Sequence, residues 1–308
     1  ALLFPIAFFF CPEPEIPHKL SVSFRAMTSL KSGESHAALG AASIALELNR
    51  WIEERFELPG VDIPDLRGMK PQQAAATVRE SWGLGVQPIS SMVHLVELHG
   101  VRVFSLSEKS RELDAFALWT DGKPFCFLNT LKSAEHGRFD VAHELGHLVL
   151  HRHGQPIGRQ AEEEADAFAS AFLMPQSTVV GLVPRGVTLE ELVRLKRRHG
   201  VSVAALTHRA HRIGIITDWQ YRSLFIEMGR LGYRTVEPAP MTSRETSQVL
   251  NKVFAALREE GVSKADVAHE LGVLPDEVEA LVFGLVVKAM QGGGTSPGAP
   301  GASPNSPR

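Results

Sequence analysis

The stretch "RFDVAHELGHLVLH", Arg138 to His151, sets two histidines four residues apart with a glutamate between them. Ser133 stands ahead of it as a helix cap, and helix-favouring residues continue through Leu150. On a helix, four residues turn through about 400° and rise about 6 Å, so His143 and His147 project from one face. Their imidazoles can then converge on a single metal ion. Glu144 lies about 100° around the helix, where it can reach a water at the metal without taking a metal position itself. Phe139, Ala142, Leu145, Gly146 and Leu150 are apolar or small, as a core helix requires.

Two histidines do not complete a zinc site, and the five-residue match alone is only moderately specific. His151 continues the stripe but sits about 12 Å from His143 on a straight helix, too far to share its ion. His153 has the spacing of a longer zinc motif, H-E-x-x-H-x-x-G-x-x-H, but Leu150 stands where that motif needs glycine to turn the chain. Both histidines read as surface or supporting groups. The better source is "AEEEADAFASAFLMP", Ala161 to Pro175, whose Ala165, Phe168, Ala169, Phe172 and Leu173 follow helical spacing. Glu162 and Asp166 are four residues apart on it. One carboxylate can ligate zinc while the other accepts the distal N–H of a ligand histidine and fixes its ring. A solvated acidic first turn would account for Glu162, Glu163 and Glu164, which suit a helix N-terminus. It does not account for Asp166 between Ala165 and Ala167.

These two motifs, in this order, resemble the ImmA/IrrE-type zinc metallopeptidases, whose second motif runs E-x-E-A-N-x-F-A with L-M-P close behind. The resemblance covers roughly residues 88 to 184. It implies a gluzincin-like α+β core, Zn²⁺ as cofactor, and Glu162 as the third metal ligand beside His143 and His147. Glu144 is then the catalytic base. Asp166 stands where the family usually has Asn, which keeps a bond to a ligand histidine but changes its charge. Members are intracellular endopeptidases that cut helix-turn-helix repressors or antitoxins under stress, so the resemblance implies a cytoplasmic location and an Xre-type repressor as protein partner. Some carry an Xre-like DNA-binding domain ahead of an apolar joint similar to "LFPIAFFFCP" near the start of this sequence.

Composition agrees with a globular protein: 308 residues, 44% hydrophobic, 22% charged, net charge -3. That balance gives no global case for nucleic acid. Two cysteines, Cys11 and Cys126, make no disulfide framework. The opening apolar run is interrupted by Pro5 and is shorter than the roughly 20 residues needed to span a bilayer, so no membrane partner is expected. Ahead of the zinc motif, apolar spacing predicts helices from Ala37 to Phe56, Pro71 to Trp82 and Ile89 to His99. Val101–Ser107, Ala115–Thr120 and Lys123–Thr130 are β-prone, and Asp121-Gly122 predicts a hairpin between the last two. A small antiparallel sheet is expected, with the third strand offering an edge to an extended substrate.

After Pro184, a capping box at Thr188–Glu191 and a cap at Ser202 open two helices. From Arg185 to Arg234 ten Arg and Lys face four acids. DNA contact is therefore possible there, although solvated helix faces explain the charge as well. A second helix-turn-helix-like pair, Ser263 to Val282, is acidic and should repel phosphate, which suits docking or packing. The organisation read from the chain is a joint segment over 1–35, the metallopeptidase domain over 36–184, a basic helical subdomain over 185–240, an acidic helical module over 241–290 and a disordered tail over 291–308. The function read is a zinc endopeptidase; the alternative is a regulator that binds DNA or protein and keeps the zincin core as scaffold or sensor. Arg138, His136, Tyr221 and Tyr233 are the candidates to stabilise the oxyanion.

Overall fold

A computed structural model describes residues 32–106, 115–152, 158–282 and 284–286. The joint segment, His153 and the tail fall almost wholly outside these residues. The described chain is α+β, with twelve α-helices and one three-stranded sheet. Among the described residues, no helix is long and apolar enough to cross a membrane.

Three helices lead in: α1 (Ser32–Glu53), α2 (Pro71–Ser81) and α3 (Met92–Leu98). Proline opens α2, where a missing N–H costs nothing, and Ser91 caps α3 by accepting from the His94 amide. The sheet follows, as β1 (Arg102–Ser105), β2 (Phe116–Thr120) and β3 (Lys123–Leu128), in the order β1-β3-β2. Asp121 and Gly122, with φ of 50° and 71°, make the expected tight hairpin between β2 and β3. The sheet departs from expectation in one respect: β1 runs parallel to β3, so it is mixed rather than antiparallel. β3 consequently lies in the middle, with both edges hydrogen-bonded, and cannot receive a substrate strand. The cause lies in the faces of these strands. Phe104, Phe116, Phe125 and Phe127 are all buried, and Phe104 and Phe116 both stack on Phe127, so the most apolar strand is covered from both sides.

Against this sheet lies α4 (Ala134–Leu150), capped by Ser133, and against α4 lies α5 (Arg159–Leu173). Gly146 sets their separation. A Cβ there would come within 3.1 Å of a Phe168 ring carbon and 3.2 Å of the Ala165 Cα. Any side chain there would require its neighbours to give by a few tenths of an ångström, so glycine suits this close approach of the two backbones.

The remaining helices are α6 (Gln176–Leu182), α7 (Leu189–Leu195), α8 (Val203–Arg212), α9 (Asp218–Arg230), α10 (Gln248–Glu259), α11 (Lys264–Glu270) and α12 (Pro275–Val282). Both predicted caps after Pro184 form, as a capping box on α7 and a serine cap on α8. The local positive excess is smaller at the surface than in the sequence. Lys196 is 1% exposed and held between Glu135 (3.1 Å) and Glu237 (3.0 Å), while buried Arg209 donates to the Met174 carbonyl. Carboxylates stitch the C-terminal helices to the core. Glu97 on α3 accepts from the amide of Gln248 at the start of α10, and Glu245 accepts from the amide of Val93 at the start of α3. The acidic pair α11–α12 packs on α1, where Glu270 accepts from the Trp51 indole and from Arg55.

His199 makes this packing pH-dependent. It is 1% exposed, and burial, helped by the Arg198 charge, pushes its pKa down to about 4. In the unfolded chain it would protonate near the ordinary value of about 6.5. The unfolded state therefore binds more protons between those limits, and stability is lost as pH falls through that window. Urea unfolding should show a loss of about 2–3 kcal/mol from this group between pH 7 and pH 4. His199→Phe should flatten that slope; an unchanged slope would refute the assignment.

Candidate metal centre

The crossing of α4 and α5 at Gly146 brings the third carboxylate to the two histidines. His143 Nε2 and His147 Nε2 lie 3.1 Å apart. Glu162 spans them, with one oxygen 3.3 Å from His143 Nε2 and the other 3.6 Å from His147 Nε2. Ligand atoms of all three lie within 4.8 Å of one another, and this is the one such cluster among the described residues. His147 and Glu162 are buried and His143 is nearly so, which suits a site closed except on one side. Glu144 is also buried, at 3% exposure, on the turn that carries both histidines.

The outer nitrogens are tethered differently. His143 Nδ1 is 2.9 Å from Asp166 Oδ1, the contact expected of one of the two α5 carboxylates. His147 Nδ1 is 3.0 Å from His151 Nδ1, and His151 Nε2 is 3.0 Å from Glu164 Oε2. The protonation that satisfies both links has His147 Nδ1–H donating to His151 and His151 Nε2–H donating to Glu164. That leaves the His147 Nε2 lone pair facing Glu162. His151 is thus too far along the helix to be a ligand, and it acts on the site by orienting one. Its signal in the sequence was one more i+4 step from His147; the Glu164 partner was hidden in a run of three glutamates. Second-layer bonds of this kind typically tune metal affinity by about 10–100-fold. His151→Phe is expected to raise the zinc dissociation constant by about that factor, read by competition with a chelating dye; an unchanged constant would remove the relay.

Electrostatics match a cation's place. Burial favours neutral His143, yet the carboxylates of Asp166, Glu162 and Glu144 outweigh it and push its pKa up to about 10. His147 is driven well below the ordinary value by burial and by its two histidine neighbours. So the cluster of carboxylates draws one positive charge to the ring that Glu162 and Asp166 flank. Two imidazoles and a carboxylate are also the donor set that zinc takes in hydrolytic sites with three protein ligands.

The oxyanion candidates fare unequally. Arg138 is 3% exposed, and its guanidinium is spent on the carbonyls of Ile89, Ser90 and His199 and on Glu245. It is a structural clamp. His136 sits by Lys132 and Asp140 at the start of α4, and Tyr221 stacks on His211 from α9. Tyr233 packs, partly buried, on the core.

A glutamate beside a His-His-Glu cluster defines the class, a metallopeptidase-type centre. The sequence comparison points the same way: residues 96–211 match the family model Peptidase_M78, described as the IrrE N-terminal-like domain. The match runs from α3 through the sheet, α4 and α5 to the end of α8. No curated protein matches the chain.

Proposed function

We propose that this chain is a zinc-dependent endopeptidase of the HExxH gluzincin type, cytoplasmic, whose substrate is a helix-turn-helix repressor or antitoxin. The observation that carries the hydrolytic reading is the convergence of His143, His147 and Glu162 with Glu144 buried one residue from the first of them. His143 and His147 would hold zinc through Nε2 and Glu162 through its carboxylate. Zinc, when bound, supplies Lewis acidity that makes water nucleophilic near neutral pH.

The chain's own residues supply the rest. Asp166 holds His143 by Nδ1, and the His151–Glu164 pair holds His147, so both rings are kept with Nε2 turned toward the Glu162 carboxylate. Glu144 accepts the proton of the attacking water and returns it to the leaving amine. Its burial keeps bulk water from competing for that proton. The repressor as substrate rests on the family resemblance of the two motifs, and the exposed arginines of α7 to α9 are compatible with a DNA-associated partner.

Elemental analysis joined to proteolysis tests the reading. The purified chain should hold about one zinc, cut a neighbouring Xre-type repressor, lose both properties to a chelator and regain both with zinc. A chain that holds zinc yet cuts neither that repressor nor an unfolded protein would leave the scaffold-type regulator instead.

A further inference from the structure

A cleft of about 950 Å³ opens beside the metal centre, between α5 and α8. Phe139, Asp166 and Ser170 form one wall, and Ala205, His208 and Arg212 the other. Asp166 belongs to both places, because the same carboxylate that lines the cleft holds His143. The cleft therefore begins one side chain away from the hydrolytic centre. An extended peptide advances about 3.3 Å per residue, so a side chain within a few positions of the scissile bond reaches it.

The charges around this cleft do not cancel. Asp166 is engaged by His143, and Glu163, which also borders it, is paired with Arg159 at 2.7 Å. Arg209 is turned inward onto the Met174 carbonyl. Arg212 is exposed at the end of α8, and among the described residues no carboxylate pairs with it. Its neighbour His208 lies edge-on to Tyr221. The cleft thus presents a guanidinium with no carboxylate partner among the described residues, beside an imidazole, over a wall on which Asp166 is engaged by His143 and Glu163 by Arg159. A guanidinium in that setting selects a carboxylate, which it can take with two parallel bonds.

We propose that Arg212, with His208, forms a specificity subsite for an acidic side chain of the peptide substrate. The inference rests on the peptidase reading, and it concerns binding, so it can be tested without turnover. The probes are fluorescent decapeptide libraries, random except for a central Asp-Asp, Gln-Gln or Lys-Lys, titrated by anisotropy against the full chain carrying Glu144→Gln. The Asp library should bind about tenfold more tightly than the Lys library, in keeping with one charge-assisted bond. Arg212→Glu, added to this variant, should reverse that order, and Arg212→Gln should level it, with zinc content and melting temperature unchanged. Equal binding of Asp and Lys libraries, a preference that survives Arg212→Glu, or no binding at all would overturn the proposal. Duplex DNA that bound more tightly than the Asp library and was lost on Arg212→Glu would overturn it in favour of a phosphate site. An acid preference in a chain that never cuts would leave the subsite standing and remove the peptidase reading; turnover without the preference would do the reverse.

Discussion

Glu162→Ala is expected to strip the metal while leaving the fold in place. Glu162 is 6% exposed at the first turn of α5, and its two oxygens face the two ligand nitrogens at 3.3 and 3.6 Å. A four-ligand zinc site binds with about 10–16 kcal/mol, so one ligand carries about 3 kcal/mol, and its loss should weaken retention by about 10²-fold or more. The fold should survive because Ala165, Phe168, Ala169 and Phe172, not Glu162, bury α5 against its neighbours. Removing the carboxylate also removes one of the groups that keep His143 charged, so nothing buried is left without compensation. Equilibrium dialysis against zinc reads the effect. Retention equal to the unaltered chain would place the third ligand elsewhere.

The convergence of the candidate ligands was partly legible because helical spacing is a strong local constraint. The i, i+4 histidines and the apolar stripe of Ala161–Pro175 follow from about 3.6 residues per turn and need no knowledge of the rest of the chain. The crossing that joins them was not legible. It depends on Gly146 meeting Ala165 and Phe168, and a glycine inside a helix reads in sequence only as a weak point. The same limit hid the role of His151. Sequence spacing correctly excluded it as a ligand, yet a contact to Glu164 thirteen residues on requires the packed pair of helices.

Strand order escaped for a different reason. Adjacent β-prone runs invite a meander, and only the hairpin at Asp121-Gly122 carries a local signature. Whether β1 joins the sheet beside β2 or beside β3 is decided by which strand has two apolar faces to cover, and buried Phe125 and Phe127 with Cys126 between them make it β3. Charge counting overstates the surface excess over 185–234 in a related way. A sum over residues treats Lys196 and Arg209 as surface cations, whereas both are buried and engaged by the core.

Glu144 carries the proposed mechanism. It follows the proposed ligand His143 and is not itself a proposed ligand, and Glu144→Gln keeps its shape while removing the basic oxygen that would take a proton from water. Loss of general-base assistance should lower the rate of cleavage by about 10²–10⁴-fold, with more lost if the same carboxylate also orients the water. Zinc content, melting temperature and substrate binding should stay as they were, which separates a lost proton acceptor from a damaged site. The deciding measurement sets the zinc-loaded chain and its Glu144→Gln variant side by side against the neighbouring Xre-type repressor and follows its fragments by mass spectrometry. The prediction is rapid cutting at a defined bond by the first and almost none by the second at equal zinc occupancy; cutting at equal rates would contradict the mechanism.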